Sequence, residues 1–360
     1  MRLAMDVQST VGRKTGIGYY TKNLLAGLCK FKDIEVLPFS SAGDFDMGTL
    51  RRMFWENVRI PAMISQKKPD ILHIPGFAGP KFRGGCSKVT TVCDLIGMIY
   101  PENLGKISRF YWQKWLPECV RRSDAIIAIS EHTKKDIIEL LGVPEEKIYV
   151  TLLASDPVFH PITDGDRIEE VSSKYGLPDN FVFTLGTIEP RKNIPRLVKA
   201  FSDYVEGSDT DLCLVISGKK DWGYGEVLKV VDARKTASRV FFTGYVKEED
   251  MPVLYSMAKF FVYPSIYEGF GLPVLEALSC GSPVISSNTS SLPEVAGTAA
   301  IFVDPKDVDS LREGIARLDK DENLRKMLSR EALSQSEKFS WEKTAARTVD
   351  VYNMVMGRRL

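Results

Sequence analysis

Short apolar runs alternate with amphipathic segments from one end of the chain to the other. In the first half, the runs at 3–7, 34–39, 70–74, 88–92, 125–129 and 148–151 are rich in β-branched residues and do not alternate with polar ones. That is the pattern of strands buried on both faces of a parallel sheet. Between them, 19–29, 108–122 and 131–141 carry apolar residues at helical spacing. The second half repeats the plan, with strands predicted at 181–186, 212–217, 240–243, 260–263, 284–286 and 301–303. Helices are predicted there at 194–205, 225–234, 248–258, 273–280, 308–318 and 322–339.

The segment 154–166 interrupts the alternation with Pro157, Pro161 and Gly165 among three aspartates, and reads as a linker. The expected domains are therefore 1–160 and 161–338, each an α/β doubly wound, Rossmann-like parallel sheet. A last helical segment, within 339–360, starts at the cap candidate Ser340 and is long enough to reach back toward the first domain. Two such domains facing each other would enclose a central cleft at the carboxyl ends of their strands, where open α/β sheets bind ligands.

Composition narrows the class. The chain has 360 residues, 48 Lys and Arg against 47 Asp and Glu, and a net charge of +1. That balance speaks against a dedicated nucleic-acid binder. No apolar stretch has the ~18 residues of a spanning helix, and the first residues lack the apolar core of a signal peptide. The six cysteines form no C-x-x-C pair, so a cytoplasmic protein with reduced thiols is expected. The near-neutral total hides an asymmetry: residues 1–150 hold 22 basic and 16 acidic side chains, whereas 151–360 hold 26 and 31. A positive first half suits an anionic lipid-phosphate or membrane surface.

The segment YEGFGLPVLEALSCG (267–281) carries the strongest chemistry. Pro273 suits the start of a helix and Gly281 the left-handed position just past its end. Glu268 falls in the glycine-rich loop and Glu276 in the helix. Gly269 and Gly271 let backbone approach a ligand, and a helix N-terminus offers free N–H groups to an anion. Two carboxylates eight residues apart suit a ligand that bears hydroxyls as well as phosphate, because a carboxylate can accept both protons of a vicinal diol. The plainer alternative has Glu276 complementing the helix dipole and Glu268 in solvent. Arg191 and Lys192 precede a predicted helix, where cations oppose the dipole; they are either a solvated pair or a clamp for an anion. The loop 12–18 (GRKTGIG) follows the first strand, but its G-x3-G-x-G spacing is not the dinucleotide fingerprint. A simple strand–helix turn is the alternative there.

The frame PSIYEGFGLPVLEALSCGSPVI, with Glu268-x7-Glu276, resembles the signature of glycosyltransferase family 4. These are retaining, nucleotide-sugar-dependent enzymes of GT-B architecture. The resemblance extends through GIGYYTKNLL, TVCDLIGMIYPE, AIIAISEHTKKDI, TLGTIEPRKNIPRLVKAF, VFFTGYV, SNTSSLPEV and FSWEKTA. Its wording is most similar to the bacterial mannosyltransferase-like subgroup, many of which use GDP-mannose. The resemblance implies that Glu276 binds the ribose hydroxyls, that Glu268 contacts the donor sugar, and that the amides of Gly269, Phe270, Gly271 and Leu272 lie on sugar and diphosphate. It also implies that Val246 reads the base through its backbone, that Gly16 and Gly18 approach the diphosphate, and that Lys192 with Arg191 meets the charge of the leaving diphosphate. No metal and no cofactor are implied, the nucleotide sugar being a substrate. The acceptor would be a glycan or lipid-linked molecule, as in polysaccharide or lipopolysaccharide biosynthesis.

Two positions depart from the family pattern. Cys93, before Asp94, stands where many members have His to hold the sugar, and a thiol is a poor hydrogen-bond partner. Thr187 stands where many have Arg, which leaves more of the phosphate clamp to Arg191 and Lys192. His73 reads as a structural core residue, and His132 either faces the cleft or packs at a helix start. The stretches 105–124 and 51–64 interleave Lys and Arg with aromatics. They either pack these on their own sheet, the favoured reading, or form a peripheral contact with the cytoplasmic membrane face. A non-hydrolysing sugar-nucleotide epimerase and a catalytically weak, transferase-like binding subunit are the alternative functions.

Overall fold

The computed structural model describes residues 1–11, 16–41, 47–81, 84–219, 224–234 and 236–357. It divides into two compact units, 1–154 with 340–360, and 155–339.

The first unit is a six-stranded parallel sheet: β1 (Arg2–Asp6), β2 (Glu35–Phe39), β3 (Ile71–Pro75), β4 (Ser87–Val92), β5 (Ala125–Ala128) and β6 (Ile148–Val150), in the order β2-β1-β3-β4-β5-β6. Every residue of β3 and β4 is buried, as a sheet covered on both faces requires. Core clusters around Leu72 and Ile74, and around Ile126 and Ala128, fill the space under the helices. The C-terminal helix Trp341–Gly357 lies so close to helix Gly16–Leu28 that a Cβ on Gly27 would stand 2.8 Å from Ala345 Cβ. A buried polar chain also ties this helix to the sheet. Tyr352 Oη lies 2.6 Å from His73 Nδ1, His73 Nε2 lies 2.8 Å from Thr91 Oγ1, and Thr91 meets Tyr20 at 2.8 Å. Burial holds the imidazole at about 3, so His73 is a neutral, satisfied core residue.

Two further helices, 49–67 and 106–121, each contain one π-helical turn, at Trp55–Arg59 and at Tyr111–Trp115. Each turn sits just ahead of a proline, Pro61 or Pro117. Proline has no N–H for the carbonyl four residues back, so the hydrogen-bond register widens there instead of breaking.

The second unit has strands β7 (Phe181–Leu185), β8 (Cys213–Ser217), β9 (Val240–Gly244), β10 (Phe260–Tyr263), β11 (Val284–Ser287) and β12 (Ala300–Val303), all parallel, in the order β12-β11-β10-β7-β8-β9. Counted within the unit this is 6-5-4-1-2-3, the dinucleotide-fold order read in reverse. Its winding changes direction between β7 and β10, the place where such sheets bind ligands at their carboxyl ends. Helix Ile194–Glu206 buries Leu197, Val198, Phe201 and Val205 against β7 and β8 residues Val182, Leu214 and Ile216.

All twelve predicted strands are present, with ends shifted by a residue or so. Helix 49–67 falls on the aromatic stretch 51–64, whose favoured reading is a helix. The short helices Ile96–Ile99 and Leu292–Ala296 were not anticipated. Nor was Gly165–Tyr175, which begins inside the segment read as linker; Asp164 caps it by accepting from Asp166 N at 3.1 Å. Among the described residues, no helix is long and apolar enough to cross a membrane.

Candidate active site

At the carboxyl edge of the second sheet, Gly186 and Gly218 follow β7 and β8 directly, and β9 ends at Gly244. Gly186 N donates to Ser217 O at 3.0 Å, and Gly218 N to Gly244 O at 2.8 Å. Gly218 has φ +140°, and a Cβ there would stand 1.9 Å from Gly186 O. This stretch of the edge is therefore bare backbone, open to close approach by a ligand. After Gly186 the chain makes a short turn at Pro190–Lys192, passes through Asn193 in the left-handed region (φ +62°), and enters helix Ile194–Glu206. Asn193 is fixed there because its Nδ2 donates to Pro264 O at 3.1 Å and to Pro305 O at 2.6 Å.

The neighbouring strand β10 ends at Tyr263 and leads into the loop that carries Glu268. Helix Leu272–Ser279 follows. Gly271 takes φ +107°, and a Cβ on it would stand 2.6 Å from Leu292 Cδ2, so only glycine fits. A serine-rich segment braces this loop. Glu268 N donates to Ser290 Oγ (3.0 Å), while Ser291 Oγ donates to Glu268 O (2.9 Å) and Phe270 O (2.7 Å). Ile266 N donates to Arg191 O at 2.8 Å, joining the two loops directly.

The two loops bring Arg191, Lys192 and Glu268 together. Glu268 Oε1 alone receives Lys192 Nζ (2.5 Å), Arg191 NH1 (2.8 Å), Tyr263 Oη (2.9 Å) and Ser265 Oγ (2.6 Å). Lys192 Nζ also reaches Tyr263 Oη at 2.5 Å, and Arg191 NH2 pairs with Glu189 at 2.7 Å. Burial would raise the Glu268 carboxyl, but the two cations overcome it and hold the group at about 2. Burial lowers Lys192 against the pull of Glu268. Arg191 is raised, its carboxylate partners outweighing its burial. Neither the solvated Glu268 nor the solvated Arg191–Lys192 pair of the alternative readings is present, since Glu268 and Lys192 are both buried. The cluster is a prepositioned pair of cations beside one ionised carboxylate, suited to an anion that carries hydroxyls.

Glu276 is separate from this cluster. It is half-buried, and its Oε2 accepts from Tyr255 Oη at 2.9 Å. Burial pushes its carboxyl up to about 7, with Glu248 and Asp156 adding repulsion against the Tyr255 hydrogen bond. Tyr255 and Tyr263 are linked through Phe261, with ring centroids 5.1 and 5.8 Å apart. Gly269 and Phe270 are buried, and Phe270 packs edge-on against Phe339. Val246, just past β9, is buried as well. Sequence reading did not single out Tyr255, Tyr263, Ser265 or Ser290. The available signal was a tyrosine at the inner end of a buried strand, whose hydroxyl must find a partner.

The remaining predicted residues belong to the first unit. Gly16 and Gly18 lie in the first turn of helix Gly16–Leu28, while residues 12–15 of the same glycine loop lie outside the described residues. Cys93 and Asp94 follow β4, and His132 follows the adjacent β5. Thr133 Oγ1 donates to Cys93 O at 3.4 Å, which ties these two strand ends together. The Cys93 thiol is pushed up by burial and by Asp94, so it stays neutral. Asp94 Oδ1 accepts from Ile96 N at 3.1 Å, and His132 Nε2 sits 3.6 Å from Asp136 Oδ2. Among the described residues, no group of three or more His, Cys, Asp or Glu is placed to hold a metal ion.

The two basic, aromatic stretches only partly pack inward, as the favoured reading had it. Trp55 and Tyr111 are buried, but Leu50 (63% exposed), Phe54 (57%), Val58, Ile107 and Phe110 (51%) are not. Exposed Arg51, Arg59, Lys106, Arg109 and Lys114 interleave with them, and Thr49 Oγ1 bridges the two helices to Ser108 Oγ at 2.9 Å.

A family model described as Glycosyl transferases group 1 matches residues 167–335, and one described as Glycosyltransferase Family 4 matches 16–152. The chain is 35% identical over 268 residues to O-antigen chain mannosyltransferase B of Escherichia coli, covering 74% of this chain and 70% of that one. It is 36% identical over 276 residues to the serotype-specific mannosyltransferase WbdA of Escherichia coli, covering 75% of this chain but only 34% of WbdA, so it spans about a third of that relative. Among solved structures, sucrose-phosphate synthase from Thermosynechococcus elongatus superposes with a TM-score of 0.78 at 19% identity, over 99% of both chains. The Anabaena protein HepE in complex with UDP-glucose superposes with a TM-score of 0.75 at 17% identity, over 98% of this chain and 100% of that one. At such identities the structural likeness speaks for the fold alone.

Proposed function

The chain belongs to glycosyltransferase family 4 and is a glycosyltransferase of the GT-B class; from that premise we propose that it transfers mannose from GDP-mannose, with retention of configuration, to a hydroxyl of a growing glycan or lipid-linked acceptor. The observation that carries the reading is the convergence of Lys192 and Arg191 on Glu268 at the winding reversal of the second sheet. The mannosyltransferase names of relatives at 35% and 36% identity favour the sugar, and they point to O-antigen chains as the kind of acceptor.

In this reading Glu276 accepts both ribose hydroxyls, and Glu268 contacts the donor sugar. The backbone from Gly269 to Leu272 lies along sugar and diphosphate, Val246 meets the base, and Gly16 and Gly18 approach the diphosphate. Breaking the sugar–phosphate bond leaves growing negative charge on the diphosphate. Arg191 and Lys192 are already fixed before that charge develops, so they stabilise the transition state more than the ground state. Because these cations meet the charge, turnover is expected to continue in EDTA. Retention follows front-face attack, in which the departing phosphate takes the acceptor proton. Cys93, Asp94 and His132 mark the acceptor side, in the unit with the net positive charge, and the apolar–basic surface of helices 49–67 and 106–121 supports peripheral contact with a membrane that presents a lipid-linked acceptor.

The test is nucleotide release from a panel of GDP- and UDP-sugars in the presence of a mannosylated lipid-linked acceptor, with the anomeric configuration of the product read by NMR. GDP release with an α-linked product is expected. No release from any donor, together with unchanged GDP binding by Glu276→Ala, would mean that the protein is not a transferase using this site.

A further inference from the structure

A second basic feature lies in the 155–339 unit, apart from the Lys192–Glu268 cluster. It is a cavity of about 920 Å³ between helices Ile194–Glu206, Tyr224–Asp232 and the start of Val308–Lys320. Five cations from three elements line it: Arg196, Lys199, Lys229, Arg234 and Lys306. Glu226 is its one acidic lining residue. Arg234 is largely neutralised by Asp203 at 2.7 Å. Arg196 is not, since its NH1 donates to the neutral acceptors Asn193 Oδ1 (2.5 Å) and Pro305 O (3.1 Å). Lys199, Lys229 and Lys306 are exposed, and none forms an ion pair with a carboxylate among the described residues.

This cluster runs against its surroundings. The unit holds 22 basic and 29 acidic side chains, a net of −7. In a unit with more acidic than basic side chains, five cations nevertheless line this one cavity beside a single lining carboxylate, an arrangement that favours an anion from solution. Ile266 and Val308 add apolar lining, and the volume offers room for more than a lone phosphate.

The back wall ties the cavity to the transfer site. Pro190, Asn193 and Ile266 line it, and they sit on the same two loops as Arg191, Lys192 and Glu268. Arg196 holds Asn193, and Asn193 in turn holds Pro264 O on the second loop. An anion that draws Arg196 toward the cavity therefore acts on the turn that presents both catalytic cations.

We propose that this cavity is a second site, for a small diphosphate-bearing molecule, and that its occupancy regulates transfer through Arg196 and Asn193. The effect on transfer rests on the glycosyltransferase reading, whose reaction releases a nucleoside diphosphate; the binding does not. The experiment is calorimetric titration of the full chain with inorganic pyrophosphate and, separately, with GDP, at low salt. The wild type is compared with the triple variant Lys199→Ala, Lys229→Ala, Lys306→Ala and with the donor-site variant Arg191→Ala, Lys192→Ala. The triple variant truncates exposed side chains only, and circular dichroism confirms its fold. It is expected to lose at least tenfold in pyrophosphate affinity and to bind one GDP where the wild type binds two, with basal turnover within twofold. The donor-site variant is expected to keep the cavity event. Equal cavity affinity for pyrophosphate and GDP means that the diphosphate alone is read; tighter GDP means that the nucleoside is read too. Wild-type pyrophosphate binding by the triple variant, or no binding event left in the donor-site variant, would overturn the second site whether or not the protein proves to be a transferase.

Discussion

Glu268→Gln is the substitution whose cost the structure fixes most directly. The change preserves shape but removes the charge that Lys192 and Arg191 share at Oε1. The wild-type carboxyl is held at about 2, against 4.5 for an unperturbed glutamate. Its folded-state value is depressed, so its stabilisation is complete above pH 4.5 and disappears as the pH falls toward 2. That displacement corresponds to about 3 kcal/mol at pH 7, falling to about 1.4 kcal/mol at pH 3. For a unit of this size, 3 kcal/mol lowers the melting temperature by roughly 6–12 °C. Lys192, left buried without a carboxylate, loses its proton more readily. Urea unfolding of both proteins at pH 7 and pH 3 reads the gap directly. A gap that is equal at the two pH values, or wider at pH 3, would refute the assignment of Glu268 as the ionised hub of the cluster.

Three other expectations follow from the same geometry. Glu276, raised to about 7, should accept a ribose diol only when ionised, so GDP affinity should rise with pH through 7 and flatten in Glu276→Gln; in the apo protein the linkage has the opposite sign, stability falling as pH rises from 4.5 to 7, and the same variant should remove that slope in thermal melts. Gly271→Ala must carry a Cβ at φ +107° into Leu292, and should lose about 2 kcal/mol of stability together with most donor binding, checked by urea unfolding and GDP titration. The double change Phe54→Glu, Phe110→Glu should abolish co-sedimentation with phosphatidylglycerol vesicles while leaving GDP binding unchanged.

The sheets were legible because parallel strands buried on both faces write themselves as short apolar runs, clearest in the central strands β3, β4 and β5; the edge strand β2, with Glu35 and Pro38, is the least regular. Helix Gly165–Tyr175 was hidden because Pro157, Pro161 and Gly165 announce a linker, while the polar residues after them bury only Val171. In the site, the carboxylates and cations stood out as charged residues next to glycine and proline. Their pairing did not, since Lys192 meets Glu268 across 76 residues and nothing local encodes it. Tyr263 looked like any strand-end aromatic, and Ser290 and Ser291 like loop filler; their roles exist only once β10 and β11 lie side by side.

The two π turns make the lengths of helices 49–67 and 106–121 matter as much as their composition. In both, the proline stands seven positions after the exposed phenylalanine, Pro61 after Phe54 and Pro117 after Phe110. One residue turns an α-helix by about 100°. A π turn holds one more residue than an α turn, so deleting Val58 or Lys114 would let it relax to α with Phe54 and Trp55, or Phe110 and Tyr111, kept on their faces. Deleting a residue from an α-helical part of either helix would instead rotate everything before it by that angle. Deletions at these two exposed positions should be tolerated, whereas deletions elsewhere in the two helices should not. The outer face of this unit is thus set by counting, with each proline as the fixed mark from which the count begins.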